Sequence, residues 1–101
     1  MEKLDAKTYR EKVLETPGRA CVEFFAPWCG YCKIQEAVSE RIMGSGSDVP
    51  IYLMDGDENP IVAREMGIMG YPTYVLFEDG KKIGELVGAN PEQTVRKFLA
   101  G

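Results

Sequence analysis

The sequence has no histidine and only three cysteines among its 101 residues. A fold held together by structural disulfides would need more cysteine pairs in so short a chain. A zinc site is also poorly supported, because it needs four ligands and one Cys-x-x-Cys pair supplies only half of them. We therefore predict no metal site, and the chemistry that remains for the cysteines is that of a redox-active pair.

Long apolar runs and an excess of basic residues are also missing. No stretch approaches the ~18 apolar residues that a membrane-spanning helix needs, and residues 1–15 lack the apolar centre of a signal peptide. The net charge of −4 argues against nucleic acids and anionic membranes, because both attract basic patches. We therefore expect a cytoplasmic monomer that binds neither, with residues 1–101 forming a single domain.

Four segments are predicted to be the main β-strands. Residues 20–25 and 51–55 form short runs that are almost wholly apolar, as is typical of strands covered on both faces. Thr73 to Glu78 and Lys81 to Val87 are predicted to form a hairpin around the Asp-Gly turn signal between them. A short strand at Glu2–Leu4 would add an edge to the same sheet.

Four other segments are predicted to be helices. Asp5 caps the first, and the second begins at Gly30 and ends near Gly44. Asn59-Pro60 and Asn90-Pro91 each place a proline directly after a helix cap. The positions of the second helix that recur at helical spacing are Ile34, Ala37, Val38, Arg41 and Ile42. This order of elements predicts an α/β fold, a mixed sheet of four or five strands with helices on both faces.

The most informative segment is Trp28-Cys29-Gly30-Tyr31-Cys32, where the first apolar strand gives way to the long helix. Two cysteines at this spacing on the first turn of a helix can close a small disulfide ring and reopen it. The helix N-terminus favours the thiolate of Cys29, which predicts this residue as the nucleophile. Cys32, one turn further along, is predicted to be the resolving thiol. Cys21 is predicted to be a small core residue.

Glu23 is the one charged residue in the predicted strand at residues 20–25. Burying a charge there is costly without a purpose. We predict that this carboxyl has a raised pKa and accepts the proton of Cys32 during the exchange. The alternative is a carboxylate that reaches water at the edge of the sheet or pairs with Lys33 or Lys82.

Two segments together resemble one family. The run Val22 to Lys33, VEFFAPWCGYCK, resembles the active-site segment of thioredoxins and of the catalytic domains of protein disulfide isomerases. Gly70-Tyr71-Pro72-Thr73 is similar to the cis-proline loop of thioredoxins. The resemblance covers nearly the whole chain and implies the thioredoxin fold. The chain departs from thioredoxins at Tyr31, where they usually carry proline, at Glu23, where they usually carry aspartate, and near Leu53, where they often carry lysine.

The resemblance also implies which residues contact a substrate. The backbone of Tyr71 would pair with an extended segment of the substrate, next to a cis Pro72. The docking surface would comprise Trp28, Gly30, Tyr31, Gly70, Tyr71, Pro72 and Gly88. An alternative for Trp28 is a ring that only packs over the start of the helix.

The predicted function is that of a thiol–disulfide oxidoreductase that reduces protein disulfides. No bound cofactor is expected, because the Cys29–Cys32 disulfide itself carries the electrons. By resemblance, a flavin-dependent thioredoxin reductase would return the oxidised pair to the dithiol. Two alternatives stay open. One is an oxidase or isomerase of folding proteins, which the isomerase-like Glu23 favours, and the other is a non-enzymatic module that docks or senses a partner.

Overall fold

A five-stranded mixed sheet forms the centre of the structure, a computed structural model that describes residues 1–101. Its strands are β1 (Lys3–Leu4), β2 (Arg19–Phe25), β3 (Ile51–Asp55), β4 (Thr73–Glu78) and β5 (Lys81–Val87). They lie side by side in the order β1-β3-β2-β4-β5. β3 runs parallel to β1 and β2, whereas β4 runs antiparallel to β2 and β5. The predicted mixed sheet is confirmed, and the short edge strand is its fifth member.

Four helical segments cover this sheet. They are α1 (Ala6–Tyr9), which continues as a π-helical turn at Arg10–Leu14, and α2 (Gly30–Gly44), α3 (Pro60–Glu65) and α4 (Glu92–Ala100). Asp5 caps α1 as predicted, since its side chain accepts a hydrogen bond of 2.8 Å from the Thr8 N–H. None of the helices combines the length and the apolar character that crossing a membrane requires.

The start of α4 differs from the prediction. Pro91 is itself the cap residue, in an extended conformation, and Asn90 lies one position before it. The Asn90 side chain does not cap the helix because its amide donates hydrogen bonds to the carbonyl oxygens of Val87 and Gly88 instead. Asn90 therefore fastens the loop that follows β5, a role that a cap motif does not indicate.

The sheet separates two apolar cores. One lies under α1 and α3 and contains Val22 and Phe24 of β2, and the other lies under α2 and α4 and contains Cys21. Because successive side chains of a strand point to opposite faces, Glu23 faces the same side as Cys21. The sheet thus places a carboxyl beneath α2. The core position predicted for Cys21 is confirmed.

The face of α2 that packs on the sheet differs from the predicted one. Its buried residues are Cys32, Gln35, Val38, Ser39 and Ile42. The prediction is right for Val38 and Ile42, but wrong for Ile34, whose side chain is 62% exposed, and for the exposed Ala37 and Arg41. The buried face of α2 instead includes two polar residues, Gln35 and Ser39. Their burial is tolerated because partners on other elements satisfy their hydrogen bonds.

Candidate active site

Cys29 and Cys32 lie at the start of α2, directly after β2. Cys29 is the residue that precedes the first helical position, with an extended backbone at φ −87° and ψ 111°. Both cysteines are free thiols, 7% and 4% exposed, and a small cavity of about 100 Å³ lies against them. No group of three or more His, Cys, Asp or Glu side chains is placed to hold a metal ion. The structure therefore brings the two predicted redox residues together at a helix N-terminus.

The surroundings of Cys32 keep its sulfur protonated. Burial raises the pKa of Cys32 from 9.0 to about 12, and its hydrogen bond with Cys29 and the negative charge of Glu23 act in the same direction. At neutral pH this residue is consequently a thiol. It must lose a proton before it can attack a disulfide, because the thiolate is the nucleophilic form.

Glu23 is completely buried in the middle of the sheet. Its neighbours in the adjacent strands are Leu53 of β3 and Tyr74 of β4. β2 has a strand on each side, so the carboxyl does not lie at a sheet edge. It also pairs with neither lysine considered above, since Lys82 donates to the Met66 carbonyl and to Glu85 and no ion pair involves Lys33. The carboxyl is therefore buried in the interior of the sheet, and the edge and ion-pair alternatives are wrong.

The two oxygens of Glu23 have different environments. Oε1 accepts a hydrogen bond of 2.6 Å from the Ser39 hydroxyl, whereas Oε2 is buried without a partner. Burial raises the pKa of Glu23 from 4.5 to about 7, although the Ser39 hydrogen bond acts in the opposite direction. A carboxyl with a pKa near neutrality can both take up and release a proton under physiological conditions.

The loop before β4 closes over the cysteines. The peptide bond between Tyr71 and Pro72 is cis, as predicted. Tyr71 packs against the small cluster formed by Ala26, Cys29 and Cys32. The Pro72 carbonyl accepts a hydrogen bond of 2.8 Å from the Gly88 N–H. The cis-proline loop, the cysteine pair and the loop after β5 are thus neighbours.

An exposed aromatic surface borders this site. Trp28 and Tyr31 are 71% and 67% exposed. The Trp28 Nε1–H donates a hydrogen bond of 2.9 Å to Asp57, and its ring meets Tyr71 edge-on with centroids 5.9 Å apart. The Trp28 ring therefore has fixed neighbours and still exposes most of its surface.

Glycines leave open backbone around the same surface. A Cβ atom built at Gly30, Gly70 or Gly88 would meet no atom within 4 Å. Gly88 also has a positive φ of 85°, which glycine adopts most readily. These three predicted docking positions therefore leave room for an approaching chain.

Sequence reasoning missed three residues next to the site. Gln35 and Ser39 of α2 and Tyr74 of β4 are buried and form hydrogen bonds with one another or with Glu23. A signal was available for two of them, because Gln35 and Ser39 follow Cys32 by three and seven residues and so share its face of the helix. Tyr74 could be found only from the pairing of β2 with β4.

Gly56 offers a test of the position of Tyr71. A Cβ atom at Gly56 would lie 2.0 Å from the Tyr71 hydroxyl oxygen, so a Gly56→Ala variant must displace the ring. We expect KM for a protein disulfide to rise about tenfold, the equivalent of about 1.4 kcal/mol of binding, with kcat little changed. Gly44→Ala is the control, because its Cβ atom would meet nothing. Equal KM values for the two variants would show that the Tyr71 ring does not contact the substrate.

Comparison with known proteins identifies the family. The thioredoxin family model matches residues 1–101. The thioredoxin Asp f 29 of Aspergillus fumigatus is 43% identical over 89 residues, which cover 86% of this chain and 81% of the relative. Thioredoxin 1 of Synechococcus elongatus is 39% identical over 93 residues, with 91% and 87% covered. The oxidised form of mitochondrial thioredoxin 3 from Saccharomyces cerevisiae matches with a TM-score of 0.87 and 30% identity, covering 99% of this chain and 93% of the other. With its cysteine pair at the start of α2 and a cis-proline loop beside it, the chain belongs to the thioredoxin family and is a thiol–disulfide oxidoreductase.

Proposed function

We propose that this protein reduces protein disulfides by dithiol exchange, with Cys29 as the nucleophile, Cys32 as the resolving thiol and Glu23 as the proton acceptor. The observation that carries the proposal is a cysteine pair at a helix N-terminus together with a buried carboxyl on the strand beneath that helix, whose negative charge raises the pKa of Cys32. No separate cofactor takes part, because the cysteine pair itself holds the two electrons.

The first step joins the protein to its substrate. The Cys29 thiolate attacks one sulfur of the substrate disulfide, and a bond forms between these two sulfurs as the substrate S–S bond breaks. The second substrate sulfur leaves as a thiolate and takes up a proton from water. The helix N-terminus assists by favouring negative charge on Cys29.

The second step releases the product. Cys32 gives its proton to Glu23 and attacks the Cys29 sulfur, so that the mixed disulfide breaks and the Cys29–Cys32 disulfide forms. The remaining substrate sulfur leaves as a thiolate and is protonated. Two electrons have passed from the cysteine pair to the substrate, and Glu23 returns its proton to solvent. The high pKa of Cys32 makes a proton acceptor useful in this step.

Substrate docking is assigned to the surface around the cysteines. The exposed rings of Trp28 and Tyr31 supply apolar contact area. Tyr71 lies just beyond the end of the β2–β4 pairing, which stops at Thr73. Its backbone can therefore pair with an extended segment of the substrate, next to Pro72.

The cellular setting is also part of the proposal. A flavin-dependent enzyme similar to thioredoxin reductase would re-reduce the disulfide, and residues 1–101 would act as a single-domain cytoplasmic monomer that binds neither nucleic acid nor membrane. The net charge of −4 supports the last point. Relatives named as mitochondrial and chloroplastic occur among the matches, so the compartment stays a prediction.

Redox equilibration tests the direction of the reaction. We expect a reduction potential near that of reducing members of the family, about −270 mV, when the pair is equilibrated with glutathione buffers and read out by thiol alkylation and mass spectrometry. A value of about −180 mV or higher would favour the oxidase or isomerase alternative. A normal potential without turnover of insulin disulfides would favour the docking module.

A further inference from the structure

A chain of buried polar side chains connects Glu23 to the loop after β5. Its members besides Glu23 are Ser39 and Gln35 of α2 and Tyr74 of β4, and none of the four is more than 1% exposed. Tyr74 lies opposite Glu23 in the β2–β4 pairing. The chain ends at the backbone of Asn90. Since no solvent reaches these groups, the amide and hydroxyl hydrogens of Gln35, Tyr74 and Ser39 must find acceptors among these residues and the Asn90 backbone.

The backbone of Asn90 fixes the orientation of the Gln35 amide. The Asn90 N–H donates to Gln35 Oε1 at 2.8 Å, and the Asn90 carbonyl accepts from Gln35 Nε2 at 3.0 Å. A backbone N–H can only donate and a carbonyl can only accept, so the reversed amide would lose both bonds. The second hydrogen of Nε2 then points to the Tyr74 hydroxyl oxygen, also at 3.0 Å.

This orientation decides the direction of the remaining bonds. Because Gln35 Nε2 has no lone pair to offer, Tyr74 cannot donate back to it and must direct its own hydrogen to the Ser39 oxygen, its other partner. Ser39 therefore directs its hydrogen to Oε1 of Glu23. From Gln35 to Glu23, each bond therefore donates toward the carboxyl.

We propose that this chain determines which oxygen of Glu23 carries the proton: Oε1 remains an acceptor in both protonation states, and Oε2 takes up the proton of Cys32. Oε2 is the oxygen that is buried without a hydrogen-bond partner. Ser39, Tyr74 and Gln35 are then positioning residues that act through Glu23. The inference rests on the proposed role of Glu23 as proton acceptor. It adds which carboxyl oxygen takes up the proton and which residues position the carboxyl.

The charges around Glu23 make the Ser39 bond important. Glu36 and Glu40 of α2 add negative charge that raises the pKa of Glu23. The other titratable neighbours are Cys21, Cys32 and Tyr74, while β3 contributes only Leu53 opposite Glu23. No cation compensates the carboxylate, so the hydrogen bond from Ser39 is its main stabilising contact.

Removing the Ser39 hydroxyl gives the first measurement. In a Ser39→Ala variant the pKa of Glu23 should rise by about one unit or more, because the lost hydrogen bond stabilises the charged form more than the protonated form. The readout is the pH titration of the Glu23 side-chain carboxyl carbon by NMR in the reduced protein. Tyr74→Phe should shift it in the same direction by less, and Ser39→Thr should restore the original value. Val75→Ala, on the opposite face of β4, is the control for a purely structural loss and should leave the titration unchanged.

Infrared spectroscopy tests which oxygen carries the proton. If Oε2 is protonated, Oε1 is the carbonyl that Ser39 hydrogen-bonds, so Ser39→Ala should move the Glu23 carbonyl band to higher frequency. Glu23→Gln identifies that band by removing it. An unmoved band would mean that the proton lies on Oε1 and would overturn the inference, as would an equal pKa of Glu23 in Ser39→Ala and Val75→Ala. The proposed function fails separately, if Glu23→Gln resolves the mixed disulfide at the original rate at every pH.

Discussion

A Cys32→Ser variant is expected to stop after the first chemical step and to accumulate as a mixed disulfide with its substrate. Cys29 keeps its place at the start of α2 and can still attack, but no second thiol is present to release the product. Multiple-turnover reduction of insulin should fall at least about a thousandfold, as removal of a reacting group usually causes. The measurement combines turnover with non-reducing mass spectrometry, which should show one substrate chain attached per protein.

Two further variants test whether the mixed disulfide depends on the separate roles of Cys29 and Cys32. Cys29→Ser should show the same loss of turnover but no adduct, because burial and the charge of Glu23 still raise the pKa of Cys32 above its ordinary value and keep it a thiol at neutral pH. Cys21→Ala should keep both turnover and product release, since Cys21 is completely buried in the core under α2 and α4. An adduct at Cys32 in the Cys29→Ser variant would contradict the assignment and would exchange the roles of the two residues.

Much of the fold could be predicted from local sequence signals. The hairpin around Asp79-Gly80 forms as expected, and both residues have the positive φ angles, 51° and 80°, that this turn signal favours. Gly30 begins α2 directly after Cys29, as the change from a strand to a helical pattern indicates. These features depend on a few neighbouring residues, and so a single sequence is enough to find them.

The buried face of α2 could not be predicted in the same way. Apolar spacing favoured Ile34, whereas the structure buries Gln35 and Ser39 instead. Burying these polar groups costs little here only because Tyr74 and Asn90 supply hydrogen bonds from distant parts of the chain. Which residues meet across the sheet is set by strand pairing and helix rotation, and neither is visible in local periodicity.

In the candidate site, too, some features can be predicted from local sequence and others depend on contacts between distant residues. The residues proposed to react, Cys29, Cys32 and Glu23, belong to one short motif and one strand, so their types and spacing are visible in the sequence. The state of the Glu23 carboxyl depends instead on Ser39, which is 16 positions away, and on burial that only the complete sheet provides. The sequence therefore predicts the proposed chemistry, whereas the burial and the hydrogen bonding of the carboxyl become visible only in the structure.

Replacing Glu23 by glutamine should stabilise the protein at alkaline pH and much less at acidic pH. Burial raises the pKa of Glu23 from 4.5 to about 7 in the folded protein, whereas the unfolded chain keeps the ordinary value. Between these two pH values the unfolded chain releases its proton and the folded protein does not, so the free energy of unfolding falls as the pH rises. The difference in pKa corresponds to about 3 kcal/mol, since one unit is worth about 1.36 kcal/mol. Glu23→Gln mimics the protonated carboxyl and should lose this pH dependence.

Comparing the free energies of unfolding of Glu23→Gln and the original protein at each pH isolates the contribution of the Glu23 carboxyl. Urea unfolding of the reduced proteins between pH 4.5 and pH 8 should show the gain of Glu23→Gln over the original protein growing by about 3 kcal/mol across that range. Above pH 8 the thiols of Cys21 and Cys32 would ionise in the unfolded chain but not in the folded protein, where burial raises the pKa of both. The pH series ends at pH 8 for this reason. Glu11→Gln, an exposed change of the same charge in the π-helical turn after α1, should show no such growth. A constant difference between Glu23→Gln and the original protein would mean that the folded carboxyl titrates at its ordinary pKa, and it would then be a much weaker base for the proton of Cys32.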